Sequence, residues 1–175
     1  MLTAAELVTK GKEMNKDALS AFVKRHAPPA LDARKLLDDA QAQAKRENKR
    51  VLIQETAVWC GPCERLATFL DQNRQLWEKD YIWVRMDIRW TGAAEIVKSL
   101  RGEAQGGYPW LAILDADGKV LVTSNKPDDG SNIGYPSDDD SVKHFTHMLK
   151  TTAQRMTAND LSGLKSALEA ANREK

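Results

Sequence analysis

The sequence of 175 residues lacks several features that mark specialised classes of protein. Its 26 basic and 25 acidic residues nearly cancel, whereas nucleic-acid binders usually carry a marked basic excess. No apolar run approaches the roughly 20 residues of a membrane-spanning helix. The opening MLTAAELVTKGKEMNK has neither the basic nor the apolar region of a signal peptide. We therefore expect no nucleic-acid binding, no membrane insertion and no signal peptide in this chain.

Cysteine is also scarce, because the chain has only Cys60 and Cys63. Two cysteines are too few for a disulfide scaffold, and a chain of this length can bury a core without one. A zinc site needs four ligands, and His26, His144 and His147 lie far from the pair in sequence. The count suits a dithiol that cycles between its reduced and oxidised forms.

The pattern of apolar and polar residues divides the chain into three parts. A broken helical pattern that ends at Pro28 and Pro29 predicts an N-terminal helical extension over residues 1–29. Residues 30–157 alternate between helical and strand patterns and predict one domain. Residues 158–175 predict a last helix that packs on this domain or extends it.

The central part predicts an α/β fold, a mixed β-sheet flanked by helices. Because helices separate the first strands, we expect those strands to be parallel, and an Asp-Gly turn makes the last strand antiparallel. Four helices are predicted: one over residues 31–48, one from Cys63 through Trp77, one that Thr91 caps and that ends at Leu100, and one from about Ser137 through Met156. The predicted strands are Val51–Ala57, Tyr81–Ile88, Trp110–Leu114 and Lys119–Thr123.

Cys60 and Cys63 lie where the first strand ends and a helix begins, a position that favours thiol chemistry. The unpaired amides and the macrodipole at a helix N-terminus stabilise a thiolate, so Cys60 is the predicted nucleophile. Two intervening residues place Cys63 one turn along, close enough to form a disulfide. Pro62 suits the first helical turn, and Gly61 leaves the sulfur uncrowded. Cys60 would attack a substrate disulfide, and Cys63 would then resolve the mixed disulfide.

Three functions remain compatible with this pair. The first is a thiol–disulfide oxidoreductase, and the second is a non-catalytic adaptor whose disulfide acts only as a redox switch for a partner protein. The third is a metal carrier that uses the two cysteines. Since the chain has no cofactor motif, the first function uses no cofactor beyond the Cys60–Cys63 disulfide and needs a protein reductant that the sequence does not identify.

The segment Trp59-Cys60-Gly61-Pro62-Cys63 resembles the active-site motif of the thioredoxin-like family. Tyr108-Pro109 resembles the cis-proline site of that family, and residues 107–119 resemble its proline–strand–hairpin segment. The resemblance covers roughly residues 31–156. It implies a thioredoxin-like fold with extra N- and C-terminal helices, and a protein-disulfide oxidoreductase in which Cys60 attacks and Cys63 resolves.

The resemblance also implies a substrate groove. Pro109 would be cis and lie beside the disulfide, and Tyr108 would pair its main-chain groups with a bound substrate strand. Trp59 would form an apolar rim, and Gly134 matches a glycine that opens the groove. Trp90 follows the second predicted strand and is a further candidate for lining the groove.

The sequence departs from the family at the proton relay. Gln54 stands six residues before the first cysteine, where the family has a buried aspartate, and Arg85 stands where it has a lysine. Alternation along the strand turns the neighbouring Glu55 to the opposite face. We therefore expect a different proton relay to Cys63, and a resolving step slower at neutral pH than in ordinary thioredoxins.

A second departure concerns the groove and its partners. Tyr108 and Trp110 are bulkier than usual, which resembles the thioredoxin-like domains of bacterial thiol–disulfide interchange proteins. The implied partners are proteins with disulfides, as substrates, and a protein reductant. The resemblance also implies that this chain is a monomer. The resemblance favours a periplasmic or otherwise exported protein with its signal removed, with the cytoplasm as the alternative. The loop over residues 132–136 either borders the groove or is anchored by Tyr135.

Overall fold

A computed structural model describes residues 16–18, 30–102 and 106–173 of the chain. Residues 16–18 are helical, and the rest of the predicted N-terminal extension lies outside the described residues. Among the helices within these described ranges, none is long and apolar enough to cross a membrane. The elements from residue 31 onward are α1 (Ala33–Glu47), β1 (Arg50–Thr56), α2 (Gly61–Gln72), α3 (Arg74–Trp77), β2 (Tyr81–Asp87), α4 (Ala93–Arg101), β3 (Trp110–Leu114), β4 (Val120–Thr123), α5 (Asp139–Thr152) and α6 (Ala158–Arg173).

The four strands form one mixed sheet in the order β2–β1–β3–β4. This confirms the predicted α/β class, and β1 and β2 are parallel as expected. β3, however, is antiparallel to β1, so the expectation that all helix-separated strands are parallel is wrong for β3. β4 is antiparallel to β3, as the Asp-Gly turn predicts.

The length and position of α4 explain the direction of β3. Its 9 residues span about 14 Å, whereas the 7 residues of β1 extend about 23 Å. The last residue of α4, Arg101, pairs with Glu55 near the carboxyl end of β1. The chain therefore enters β3 at that end of the sheet, with Trp110 opposite Glu55, and runs back along β1.

Alternation along β1 separates the two faces of the sheet. One face is covered by α2, α3, α5 and α6, and the other by α1 and α4. Leu52 packs on the first face and Ile53 on the second. Gln54 and Glu55 continue this alternation at the carboxyl end of the strand, so they lie on opposite faces and near the active-site motif.

Several helix ends differ from the sequence predictions. α2 begins at Gly61, two positions before Cys63, because Cys60 already acts as its N-cap. A break at Asn73 then divides the predicted helix into α2 and α3. The apolar side chains along the two pieces are nevertheless buried on one side, namely Leu66, Phe69, Leu70 and Trp77. Thr91 does not cap α4, which starts after Gly92 without a side-chain cap. The Thr91 main chain instead bonds residues at the start of α1.

A buried carboxylate ties the last helix to the start of β2. Asp80 is fully buried and accepts main-chain N–H groups from Gln154, Arg155 and Met156 at 2.7–3.0 Å. These bonds fix the turn between α5 and α6. The predicted C-terminal helix then packs Leu164 and Leu168 into the core on the α2 face of the sheet.

Candidate active site

Cys60 and Cys63 form a disulfide at the first turn of α2, with their Cα atoms 5.2 Å apart. Cys60 is the N-cap, and the Cys63 N–H donates to its Sγ at 3.2 Å. The helix begins here because Cys60 keeps an extended backbone and Pro62 stands in the first turn, where its missing N–H is harmless. Cys60 keeps 4% of its surface exposed, whereas Cys63 is fully buried.

Aromatic side chains lie beside the dithiol. The Tyr108–Pro109 peptide bond is cis, the geometry that the resemblance implies. Tyr108 packs against the small apolar cluster that contains both cysteines. Trp59 is 68% exposed, and its ring meets the Tyr108 ring edge-on at 5.5 Å between centroids. An exposed apolar surface therefore adjoins the disulfide, as expected for the rim of a groove.

The structure links Pro109 to Gly134 through a residue that sequence reasoning missed. Asn132 Nδ2 donates to the Gly107 carbonyl at 2.7 Å and to the Pro109 carbonyl at 2.9 Å. Its Oδ1 accepts the Gly134 N–H at 3.2 Å. Gly134 has φ +61°, in the left-handed region that favours glycine. An asparagine two positions before that glycine, in a turn-rich loop, was the available signal.

The neighbouring Tyr135 anchors the loop. Its side chain is 8% exposed and belongs to the main core, and the Arg65 guanidinium lies 4.2 Å from its ring centroid. Arg65 stands on α2 two positions after Cys63, so this cation–π contact joins the loop to the helix that carries the dithiol. Tyr135 thus anchors the loop, and Asn132 lies next to the cis-proline segment; that residues 132–136 border a substrate groove stays a prediction.

The Gln54 side chain bonds to Cys63, whereas the Arg85 side chain bonds to Glu64. Gln54 is fully buried, and its Nε2 donates to the Cys63 carbonyl at 3.0 Å. Among the described residues, none donates a hydrogen bond to its buried Oε1. Arg85 lies opposite Gln54 in the β1–β2 register, yet its guanidinium pairs with Glu64 on α2 at 2.5 Å. A neutral amide therefore occupies the position where the family has an acid.

Glu55 faces the other side of the sheet. It is 6% exposed and pairs with Arg101 at 2.7 Å, while Arg101 also lies 4.8 Å from the Trp110 ring centroid. Burial raises the pKa of Glu55, and the positive charge of Arg101 only partly offsets this effect. Arg101 also donates to the Gly106 carbonyl at 3.3 Å. This pair supports the segment that leads into Tyr108 rather than the dithiol itself.

Trp90 lines a separate hollow. This hollow of about 320 Å³ lies beside Thr56, Ala57 and Val58, the residues that precede the motif, and Asp87 also lines it. Its other lining side chains include Arg85 and Glu64. A part for Trp90 in substrate binding stays a prediction. Within the described residues, no group of three or more His, Cys, Asp or Glu side chains is placed to hold a metal ion.

Residues 32–116 match the model of a family described as thioredoxin-like. Among curated proteins, a thioredoxin H-type from Chlamydomonas reinhardtii is 28% identical over 58 residues, which make up 33% of this chain and 51% of that protein. The chain thus spans about half the length of the curated relative that it matches.

Among solved structures, the chain is similar to a disulphide isomerase from Xylella fastidiosa Temecula1, with 20% identity and a TM-score of 0.50. That similarity covers 83% of this chain and 95% of the other. Thioredoxin O2 from Arabidopsis thaliana in the oxidized state is 17% identical with a TM-score of 0.47, covering 71% and 93%. The likeness to the isomerase shows the fold alone. Together with the match over residues 32–116, it confirms the predicted thioredoxin-like fold, and the chain therefore contains a thioredoxin-like domain.

Proposed function

We propose that the chain is a thiol–disulfide oxidoreductase that reduces or exchanges disulfides of proteins. The thioredoxin-like domain and the Cys-x-x-C disulfide support this type of activity in general. The observation that carries the proposal is the disulfide at the N-terminus of α2, next to Tyr108 and the cis Pro109. A structural staple would not need this position, because a loop of two residues constrains the unfolded chain little.

The reaction transfers two electrons from the dithiol to the substrate. The Cys60 thiolate attacks one sulfur of a substrate disulfide, so a Cys60–substrate bond forms, the substrate S–S bond breaks, and one substrate thiolate leaves. The Cys63 thiolate then attacks Cys60 Sγ, forms the intramolecular disulfide and releases the second substrate thiolate. The substrate is reduced and the chain is oxidised. A separate protein dithiol restores Cys60 and Cys63 by the reverse exchange, so no cofactor is needed.

The surroundings of Cys60 support its part as the attacking thiol. The Cys63 N–H already points at its sulfur, and the first amides of α2 have no acceptor within the helix. These groups and the positive end of the helix dipole stabilise a thiolate at Cys60 but not at Cys63, which is buried one turn further along.

Substrate contacts are proposed for the residues around this sulfur. The main chain of Tyr108 would pair with an extended segment of the substrate, and the exposed ring of Trp59 would contact its apolar side chains. Gly134 would border the far side of the groove. Trp90 lines the hollow beside residues 56–58, so it would contact only a substrate long enough to reach past the active-site motif.

Proton transfer at Cys63 would differ from that in relatives with a buried acid. Gln54 holds the Cys63 carbonyl but cannot accept a proton from its thiol. The Arg85 guanidinium pairs with Glu64 and has only hydrogen-bond donors, so it offers no acceptor for this proton. We therefore expect the Cys63 proton to leave through water, with a resolving step that is slow at neutral pH.

Selective alkylation tests the proposal. In the reduced protein, iodoacetamide should modify Cys60 below neutral pH and leave Cys63 unmodified, as read by peptide mass spectrometry. The same protein should catalyse the reduction of insulin by dithiothreitol, and Cys60→Ser should abolish this activity. Equal and slow alkylation of both cysteines would contradict the mechanism. Selective alkylation without insulin reduction would favour the non-catalytic redox switch instead.

A further inference from the structure

Asn132 joins the two loops that border the proposed groove. Its Nδ2 donates to the carbonyls of Gly107 and Pro109, and its Oδ1 accepts from the Ser124 hydroxyl at 2.7 Å and from the Gly134 N–H. Because two donors end on Oδ1 and two acceptors face Nδ2, only one orientation of the amide satisfies all four partners. The side chain therefore works as a fixed bridge between the loops.

The bridge is anchored and closely packed. Ser124 is fully buried and its Oγ accepts the Leu111 N–H at 2.8 Å, so the bridge is connected to the central strand β3. On the other side, a Cβ added to Gly106 would lie 2.6 Å from the Cβ of Asn132. Gly106 has φ +147°, where other residues are rarely found. The close approach of Asn132 to this loop thus requires a glycine.

The bridge leaves one peptide edge available. Asn132 occupies the carbonyls on both sides of Tyr108, those of Gly107 and Pro109. Among the residues that the structure describes, none accepts a hydrogen bond from the main-chain N–H of Tyr108, and none donates one to its carbonyl. They lie beside the cluster that contains Cys60. A strand that binds by main-chain hydrogen bonds needs such unpaired groups, held in place before it arrives.

We propose that Asn132 is a positioning residue that holds the Tyr108 main chain for extended protein substrates. The proposal rests on the proposed oxidoreductase function and specifies its substrate class. Disulfides embedded in an extended polypeptide segment use the Tyr108 edge, whereas a small disulfide without a peptide backbone needs only the sulfur of Cys60. Asn132 therefore favours protein disulfides over small ones without touching the reacting sulfur atoms.

Asn132→Asp tests this discrimination. Aspartate has the same shape and keeps the Oδ1 acceptor, but it loses both N–H donors and turns an oxygen toward two carbonyl oxygens. The pre-reduced protein is mixed with insulin, a protein disulfide, or with 5,5′-dithiobis(2-nitrobenzoic acid), a small one. The second-order rate constant is measured for each in a single turnover. The ratio of the insulin constant to the small-disulfide constant should fall about tenfold in the variant.

Asn125→Asp is the matched control. Asn125 lies in the same loop, donates from Nδ2 to the Gly130 carbonyl and accepts from Trp110 Nε1. The control variant therefore loses the bond to Gly130 but keeps all the side-chain bonds of Asn132 to Gly107, Pro109, Ser124 and Gly134. Its ratio should equal that of the wild type. If Asn132→Asp does not fold, as read by circular dichroism, Asn132→Ala replaces it with the same expected fall.

Two results would overturn the proposal, and they are distinguishable. An unchanged ratio in the Asn132 variant, with an active wild type, refutes the positioning by Asn132 and leaves the oxidoreductase function standing. A wild type that reduces neither disulfide refutes the oxidoreductase function and, with it, this inference. An equal loss of both rate constants in the Asn132 variant is an unchanged ratio and indicates a purely structural role.

Discussion

Gln54→Glu places an acid of the same shape against Cys63, the proposed resolving cysteine. The amide is fully buried and donates to the Cys63 carbonyl at 3.0 Å, so a carboxylate there would lose its hydration and face a carbonyl oxygen. Such burial raises the pKa of a carboxyl by about 3 pH units, and each unit corresponds to about 1.4 kcal/mol. Where the new carboxyl group is ionised in the unfolded chain but protonated in the folded chain, the variant should be up to about 4 kcal/mol less stable than the wild type.

The sign of this effect gives a pH window. Below the ordinary pKa of glutamate, about 4.3, both states are protonated and the variant matches the wild type. As the pH rises from there to the raised pKa of the folded variant, the unfolded state releases its proton first and the free energy of unfolding falls. Urea unfolding of the oxidised protein at about pH 4 and about pH 8 measures this loss, and exposed Gln75→Asp is the control that should lose little.

The same variant should accelerate the resolving step. A carboxylate beside Cys63 can accept its thiol proton, and a positioned general base contributes roughly a hundredfold or more. Stopped-flow mixing of the reduced protein with one equivalent of 5,5′-dithiobis(2-nitrobenzoic acid) releases one coloured thiolate on attack and a second on resolution. The second phase should become faster as the pH rises through the pKa of the new acid. A variant that is destabilised as expected but resolves no faster would refute the reasoning about the relay.

Two further predictions concern stability. Asp80→Ala removes a fully buried carboxylate and leaves three main-chain N–H groups without their acceptor, so it should lower the free energy of unfolding in urea by about 3 kcal/mol. Asp115→Ala, in an exposed turn, should cost far less, and equal losses would contradict this account. The Thr157 main-chain N–H and the Lys79 ammonium lower the pKa of Asp160 to about 2. The stability that the Asp160 carboxylate contributes should be present above pH 3.8 and lost toward pH 2. Asp160→Asn should therefore lower the free energy of unfolding at neutral pH but not at pH 2. An equal loss at both pH values would contradict the lowered pKa.

The parts of the molecule with local causes could be predicted from the sequence. The five residues of the active-site motif, the alternation of β1 and the Asp-Gly turn before β4 each act over a few positions. They were sufficient for the start of a helix at the cysteines, for the opposite faces of Gln54 and Glu55, and for the last hairpin.

What could not be predicted depends on contacts between distant residues. Glu55 and Arg101 are 46 positions apart, and Asn132 lies 25 positions from Gly107. A charged or polar residue in a pattern indicates which face it occupies but not which partner it meets. The direction of β3 was missed for the same reason, because it follows from where α4 ends on the sheet and not from the number of strands and helices.

The packing of α6 limits how far the protein can be shortened at its C-terminal end. The sequence match to the family ends at residue 116, but the core that surrounds the first strand is completed by Leu164 and Leu168 of α6. A fragment that stops between α5 and α6 would keep the residues around the disulfide but would expose the core side chains that Leu164 and Leu168 cover. The last helix therefore completes the main core of the domain, and shortened versions should retain the chain through Arg173.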